Sequence, residues 1–186
     1  MKKIYINLFL VTSLWFGSSA VVYAVDELKF GAELSGAQEV TTPAGGVVTD
    51  TTGTVEVEFD KALSKAQFRL AVSNGTGLIQ AHLHCASAGV NGPVVVFLFG
   101  PLEPPVDVNE DSLEGTLDNS NIISPDTPET IEACGVPVNN IASLAFAMRA
   151  GKIYANVHSA AFPAGVIRGQ LLEDENEDDD GVLDFF

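Results

Sequence analysis

Residues 55–73 read VEVEFDKALSKAQFRLAVS. Val55, Val57 and Phe59 alternate with Glu56, Glu58 and Asp60. A period of two puts the apolar residues on one face and the acids on the other, the mark of a half-buried strand with one wet face. Ala66, Phe68, Leu70 and Val72 then alternate with Gln67, Arg69, Ala71 and Ser73, which supplies an antiparallel partner.

The same pattern extends both ways. Leu28 to Leu34 alternates and reads as a first strand. Residues 41–53, TTPAGGVVTDTTG, are turn-rich and read as a long hairpin connection. Asn74-Gly75-Thr76-Gly77 is the next turn, and its first three residues form a glycosylation sequon that matters in a eukaryotic host. Leu78 to Cys85 reads as a fourth strand. Pro93 to Phe99, apolar throughout, reads as a fifth that is central or buried on both sides. Residues 100–111 and 119–137 read as Pro-rich loops, with a short strand at 112–118 between them. The period then changes: Ile141, Leu144, Ala145 and Met148 share one helical face. Asn139 or Asn140 can cap that helix, and Gly151 can end it, giving Asn140 to Ala150. Lys152 to His158 and Gly165 to Leu172 read as strands joined by the turn at 160–164. The expected fold is all-β: an antiparallel, Greek-key-like sandwich or barrel with one short helix.

Both ends stand apart from this pattern. Lys2 and Lys3 precede an apolar stretch from Ile4 to Phe16, and Val22-Tyr23-Ala24 closes it with small residues at the cleavage positions. Residues 1–24 are therefore read as a secretory signal, which places the mature protein in a secreted or periplasmic setting. The apolar run is short for a membrane span of about 20 residues, and no later segment is long and apolar enough to cross. Residues 173–186 form an acidic tail, read as disordered. Asn176 to Gly181 matches the opening of a calcium loop, but the bidentate glutamate that should complete it would fall beyond Phe186. The formal net charge is −16, which disfavours nucleic acid as a partner and suits cation binding. Residues 25–172 are long enough for one domain.

The chemistry lies in few residues. Of three histidines, His82 and His84 stand two apart in QAHLHCASAGVNGPVVVFLFG, residues 80–100. On a strand that spacing puts both imidazoles on one face. His158 ends the strand IYANVH, and if that strand lies beside Leu78–Cys85 the three rings can meet. Three neutral nitrogens suit copper, or less favourably zinc, with a position left for water or a fourth ligand. The bland alternative is that histidines on a sheet face bond backbone or carboxylate and bind no ion. Asn156 shares the face of His158. Arg168 is the one basic residue of its strand, suited to pairing a buried acid or to guiding anions toward a metal. Cys85 and Cys134 are an even pair in an oxidising compartment, where a disulfide is the default and free thiols or a metal-ligating thiolate are the alternatives. Alternation turns Cys85 away from His82 and His84, which favours the disulfide. No Ser–His–Asp order, phosphate loop or paired-carboxylate spacing stands out, so hydrolytic chemistry has no support.

Three blocks carry a resemblance. GAELSGAQEV at 31–40, AHLHCASAGVNGPVVVFL at 81–98 and YANVHSAAFPAGVIRGQL at 154–171 resemble the signature blocks of the CHRD domain. That domain was named from chordin, an extracellular antagonist of bone morphogenetic proteins, and occurs in many secreted microbial proteins. The resemblance implies an extracytoplasmic all-β domain over about residues 27–172, and His82, His84 and His158 all fall in matching positions. It also implies, by analogy with chordin, a non-catalytic module that binds an extracellular protein. Three departures stand out. Thr41-Thr42 precede Pro43 where the family has prolines, Cys85 replaces a frequent glycine, and Val166 replaces an acid before Ile167-Arg168-Gly169-Gln170. A weaker likeness links the His-x-His strand and late arginine to copper/zinc superoxide dismutase, and so to a copper enzyme.

Overall fold

The computed structural model describes residues 28–123 and 127–174. The expected signal at 1–24 and residues 175–186 of the acidic tail lie outside them. The strands are β1 (Leu28–Ser35), β2 (Thr52–Phe59), β3 (Ala66–Ser73), β4 (Gly75–Cys85), β5 (Val94–Phe99), β6 (Val106–Val108), β7 (Asp111–Leu117), β8 (Ile153–Ser159), β9 (Ile167–Gln170) and β10 (Leu172–Glu173). They join into one antiparallel sheet in the order β5-β4-β8-β9-β1-β2-β3-β7, with β6 added to β4 and β10 to β1. The sheet curls into a nearly closed barrel.

The stretch that fixed the strand period forms the β2–β3 hairpin in full register, from Thr52 opposite Ser73 to Phe59 opposite Ala66. Its turn is held by Asp60, whose carboxylate accepts the backbone N–H groups of Ser64 and Lys65. Val55, Val57, Phe59, Phe68 and Leu70 point into the core, while Glu56 and Arg69 face water. Burying each such apolar side chain contributes roughly 1.5–3 kcal/mol, which is why the alternation decides the register. The turn-rich segment at 41–53 does link the antiparallel pair β1 and β2.

Two short helices accompany the sheet where one was expected. The predicted one is α2 (Ile141–Arg149), capped by Asn140, which accepts the Ser143 N–H. Its Ile141, Leu144, Ala145 and Met148 join the barrel core, as their spacing predicts. The other is α1 (Pro128–Cys134), inside the segment expected to be loop. Thr127 accepts the Thr130 N–H, Pro128 starts the helix, and Gly135 ends it in the left-handed conformation at φ 78°. The helix delivers Cys134 to Cys85, and the two form a disulfide. The expected loop at 100–111 likewise contains β6, which pairs with the start of β4. At the other end the chain stays on the sheet through β10, and Arg149 on α2 holds Glu173 in a two-point ion pair.

Candidate metal centre

β8 lies beside β4, the neighbour relation that the third histidine required. Gln80 stands opposite His158, His82 opposite Asn156, and His84 opposite Tyr154. On the other side of β8, Asn156 stands opposite Arg168. Cross-strand partners share a face, so His82, His84, Tyr154, Asn156, His158 and Arg168 form one polar field. It lies on the side of the sheet facing away from the apolar core, into which Leu83, Cys85, Ala155, Val157 and Ile167 point. All six polar-field side chains are nevertheless buried.

Loops at 36–51, 86–93 and 160–166 cover the field, tied down by its own side chains. His84 Nδ1–H donates to Gly92 O at 2.9 Å, and His158 Nδ1–H donates to Pro163 O at 3.0 Å. Arg168 donates to Val90 O and to Asn91 Oδ1, and Asn91 in turn donates to Val40 O. Asn156 donates to Glu39 Oε1 at 2.6 Å. Gly165, at φ +137°, passes so close that a Cβ there would collide with the Glu39 carboxylate and the Asn156 amide. The three blocks quoted above therefore converge on this one place.

Within it the rings are close. His82 Nδ1 is 3.1 Å from His158 Nε2, and the candidate ligand atoms of the three histidines all lie within 4.8 Å of one another. Two nitrogens on one ion, each about 2.0–2.1 Å from it, are at most about 4.2 Å apart. A small tightening of the cluster thus closes it around a single metal. The carbonyls of Gly92 and Pro163 take the Nδ1 protons of His84 and His158, so His158 Nε2 accepts from His82 Nδ1–H and the Nε2 lone pairs of His82 and His84 are left unshared. His82 Nε2 and His84 Nε2 are buried with no hydrogen-bond partner. A buried polar atom without a partner costs about 1–3 kcal/mol, so two in one cluster mark a place for an ion or an ordered water.

The electrostatics keep the rings neutral. Burial pulls His82 down to about 3, helped by the neighbouring His158 and His84. Burial likewise pulls His84 down to about 4, against the Gly92 hydrogen bond that raises it, and lowers His158. Neutral imidazole is the form that binds metal. Aromatic rings surround the cluster. Phe97 meets His82 edge-on at 4.3 Å, and Tyr154 stacks on His84 at 4.8 Å with 13° between planes. The Arg168 guanidinium lies 3.4 Å over the opposite side of the polar field's Tyr154 ring.

Arg168 is 2% exposed, and two of its N–H groups donate to neutral partners in the roof. The acid it senses is Glu39, reached through charge. Val166, just before the strand of Arg168, is buried and apolar. Burial raises Glu39 to about 7, against the lowering by Arg168 and the Asn156 hydrogen bond. Sequence reasoning missed Glu39 and Tyr154. Tyr154 was within reach, since it precedes Asn156 and His158 at the same period of two. Glu39 was quoted within GAELSGAQEV but carries no periodic signal of its own.

Fold and site together define an antiparallel barrel with a buried histidine cluster on its outer wall. The CHRD domain family matches residues 30–171, and the chain belongs to that family. No curated protein and no solved structure matches it. The disulfide is consistent with an extracellular protein. Among the described residues no helix is long and apolar enough to cross a membrane.

Proposed function

We propose that this protein is an exported metal-handling module that binds copper through His82, His84 and His158. One observation carries the reading: two buried imidazole nitrogens without partners lie beside a third imidazole. Copper is favoured over zinc because three neutral imidazoles suit copper, whereas zinc completes a tetrahedron with a fourth ligand. Asn156 and Arg168 act as supports: the first links the sheet to Glu39, and the second clamps the roof over Tyr154. The signal at residues 1–24 supplies the route out of the cytoplasm.

The mature domain loaded with copper is expected to bind one ion per chain, with anomalous scattering between the three rings. The double variant His82→Ala/His84→Ala is expected to lose binding while keeping its far-ultraviolet dichroism. Equal binding by that variant sinks the reading. A superoxide dismutase-like activity draws no support from Arg168, which is buried and bonded to the roof. Copper-loaded protein is expected to be no faster than free copper in that assay.

A further inference from the structure

We infer that the histidine cluster selects singly charged copper, Cu(I), over divalent ions. The inference rests on the metal reading above and specifies the charge of its ion. Three features of the site point the same way.

The first is the donor set. Bound imidazole is neutral, and among the described residues no carboxylate or thiolate joins the group. An ion held here keeps its whole charge. The one buried acid in the roof, Glu39, bonds Asn156. The second is the surroundings. His82 is 3% exposed and His84 9% exposed, with the Phe97 and Tyr154 rings against them. The Born cost of taking an ion out of water grows with the square of its charge, so a divalent ion incurs about four times the penalty of a monovalent one. A fixed cation is already present, since the Arg168 guanidinium lies on the same Tyr154 ring that stacks on His84.

The third is coordination number. Zinc completes a tetrahedron over three histidines with water, and copper(II) seeks a tetragonal set. Both need an additional ligand, and a hydroxide would be the natural way to offset the second charge. The site leaves little access for one, since His82 Nε2 and His84 Nε2 are themselves buried. Cu(I) is content with three soft-to-intermediate donors and needs neither the extra ligand nor the extra charge compensation.

The test is competition against chromophoric chelators, run on the full mature protein with Cu(I) under anaerobic conditions and with Cu(II) and Zn(II) separately. Cu(I) is expected to bind at least about 100-fold more tightly than Cu(II). At about 59 mV per tenfold for one electron, that raises the bound copper couple about 120 mV above the free ions. A second variant sharpens the test. Phe97→Asp, at a half-exposed position opposite His82, adds an anion beside the cluster without touching a proposed ligand. It is expected to narrow the Cu(I)/Zn(II) preference by tenfold or more. Tight binding of Cu(II) or Zn(II) with weaker Cu(I) binding overturns this inference and leaves the metal reading standing. An unchanged preference in Phe97→Asp overturns the charge argument. Failure of all three ions to bind overturns both.

Discussion

β3 and β8 are both strands of one barrel, and they treat their outward faces in opposite ways. Along β3, buried Ala66, Phe68, Leu70 and Val72 alternate with exposed or half-exposed Gln67, Arg69, Ala71 and Ser73. Along β8 every residue from Ile153 to Ser159 is buried. Both strands alternate in polarity, but in β8 the polar face is covered by loops and becomes a second, polar core. The difference shows that alternation reports which residues face the apolar core and leaves open whether the other face meets water. It also divides the molecule: the half of the barrel around β2 and β3 has a wet outer face, and the half around β4, β8 and β9 carries the buried histidine cluster.

Acid should break this comparison most strongly, because it charges only the roofed half. His82 and His84 titrate well below their ordinary value of 6.5. Below about pH 6.5 the unfolded chain takes up protons that the folded one refuses, so stability rises with pH in that range. The metal-free protein therefore loses up to about 1.4 kcal/mol per pH unit for each buried histidine as pH falls from about 6.5 toward 4. Glu39 opposes this: raised to about 7, it stabilises the fold in acid and loses that contribution as pH rises from its ordinary 4.5 through 7. Thermal melts at successive pH values should show a net loss on acidification that flattens in His82→Gln/His84→Gln. An identical slope in the variant would show that the rings do not govern it.

Next in size is the link from the core face of β4 to α1. Replacing Cys85 and Cys134 by alanine opens a loop with a sequence separation of 49 and is expected to cost about 4 kcal/mol. Urea melts measure it, and a loss below about 1 kcal/mol would mean that packing of α1 suffices. Smallest, and the most direct contrast, is a pair of arginines at outward positions. Arg168→Ala removes a buried clamp on two roof acceptors and should cost about 2–3 kcal/mol. Arg69 makes only an exposed ion pair with Glu114, so Arg69→Ala should cost less than about 0.5 kcal/mol. Equal effects would erase the distinction between the wet and the roofed half.

Local rules made much of this molecule legible. The hairpin of β2 and β3, the helix face of Ile141, Leu144, Ala145 and Met148, and the outward pairing of His82 with His84 all follow from periods of 2 and 3.6. The inward turn of Cys85 follows from the same alternation. Helix α1 escaped notice because its apolar face is too short to show a period, although Thr127, Pro128 and Gly135 are its start and stop signals. What no local rule could supply is adjacency. Nothing in the residues of β4 specifies β8 as its neighbour, and the meeting of His158 with His82 rests wholly on that choice. The burial of Glu39 is likewise a tertiary event, produced by a loop folding over a strand far along the chain.

Those long separations have a consequence for the order of events in the life of the chain. His82 and His158 are 76 residues apart, Val90 and Arg168 78, and Glu39 and Asn156 117. Contacts this distant form late, after much of the loop-closure entropy has already been overcome. An unfolded chain offers only the His82–His84 pair, without the third ring, the roof or the desolvation. The cluster is thus a lock assembled by the last steps of folding. On the proposed metal reading, tight chelation would mark a finished molecule, and an unfinished chain would have little hold on the ion.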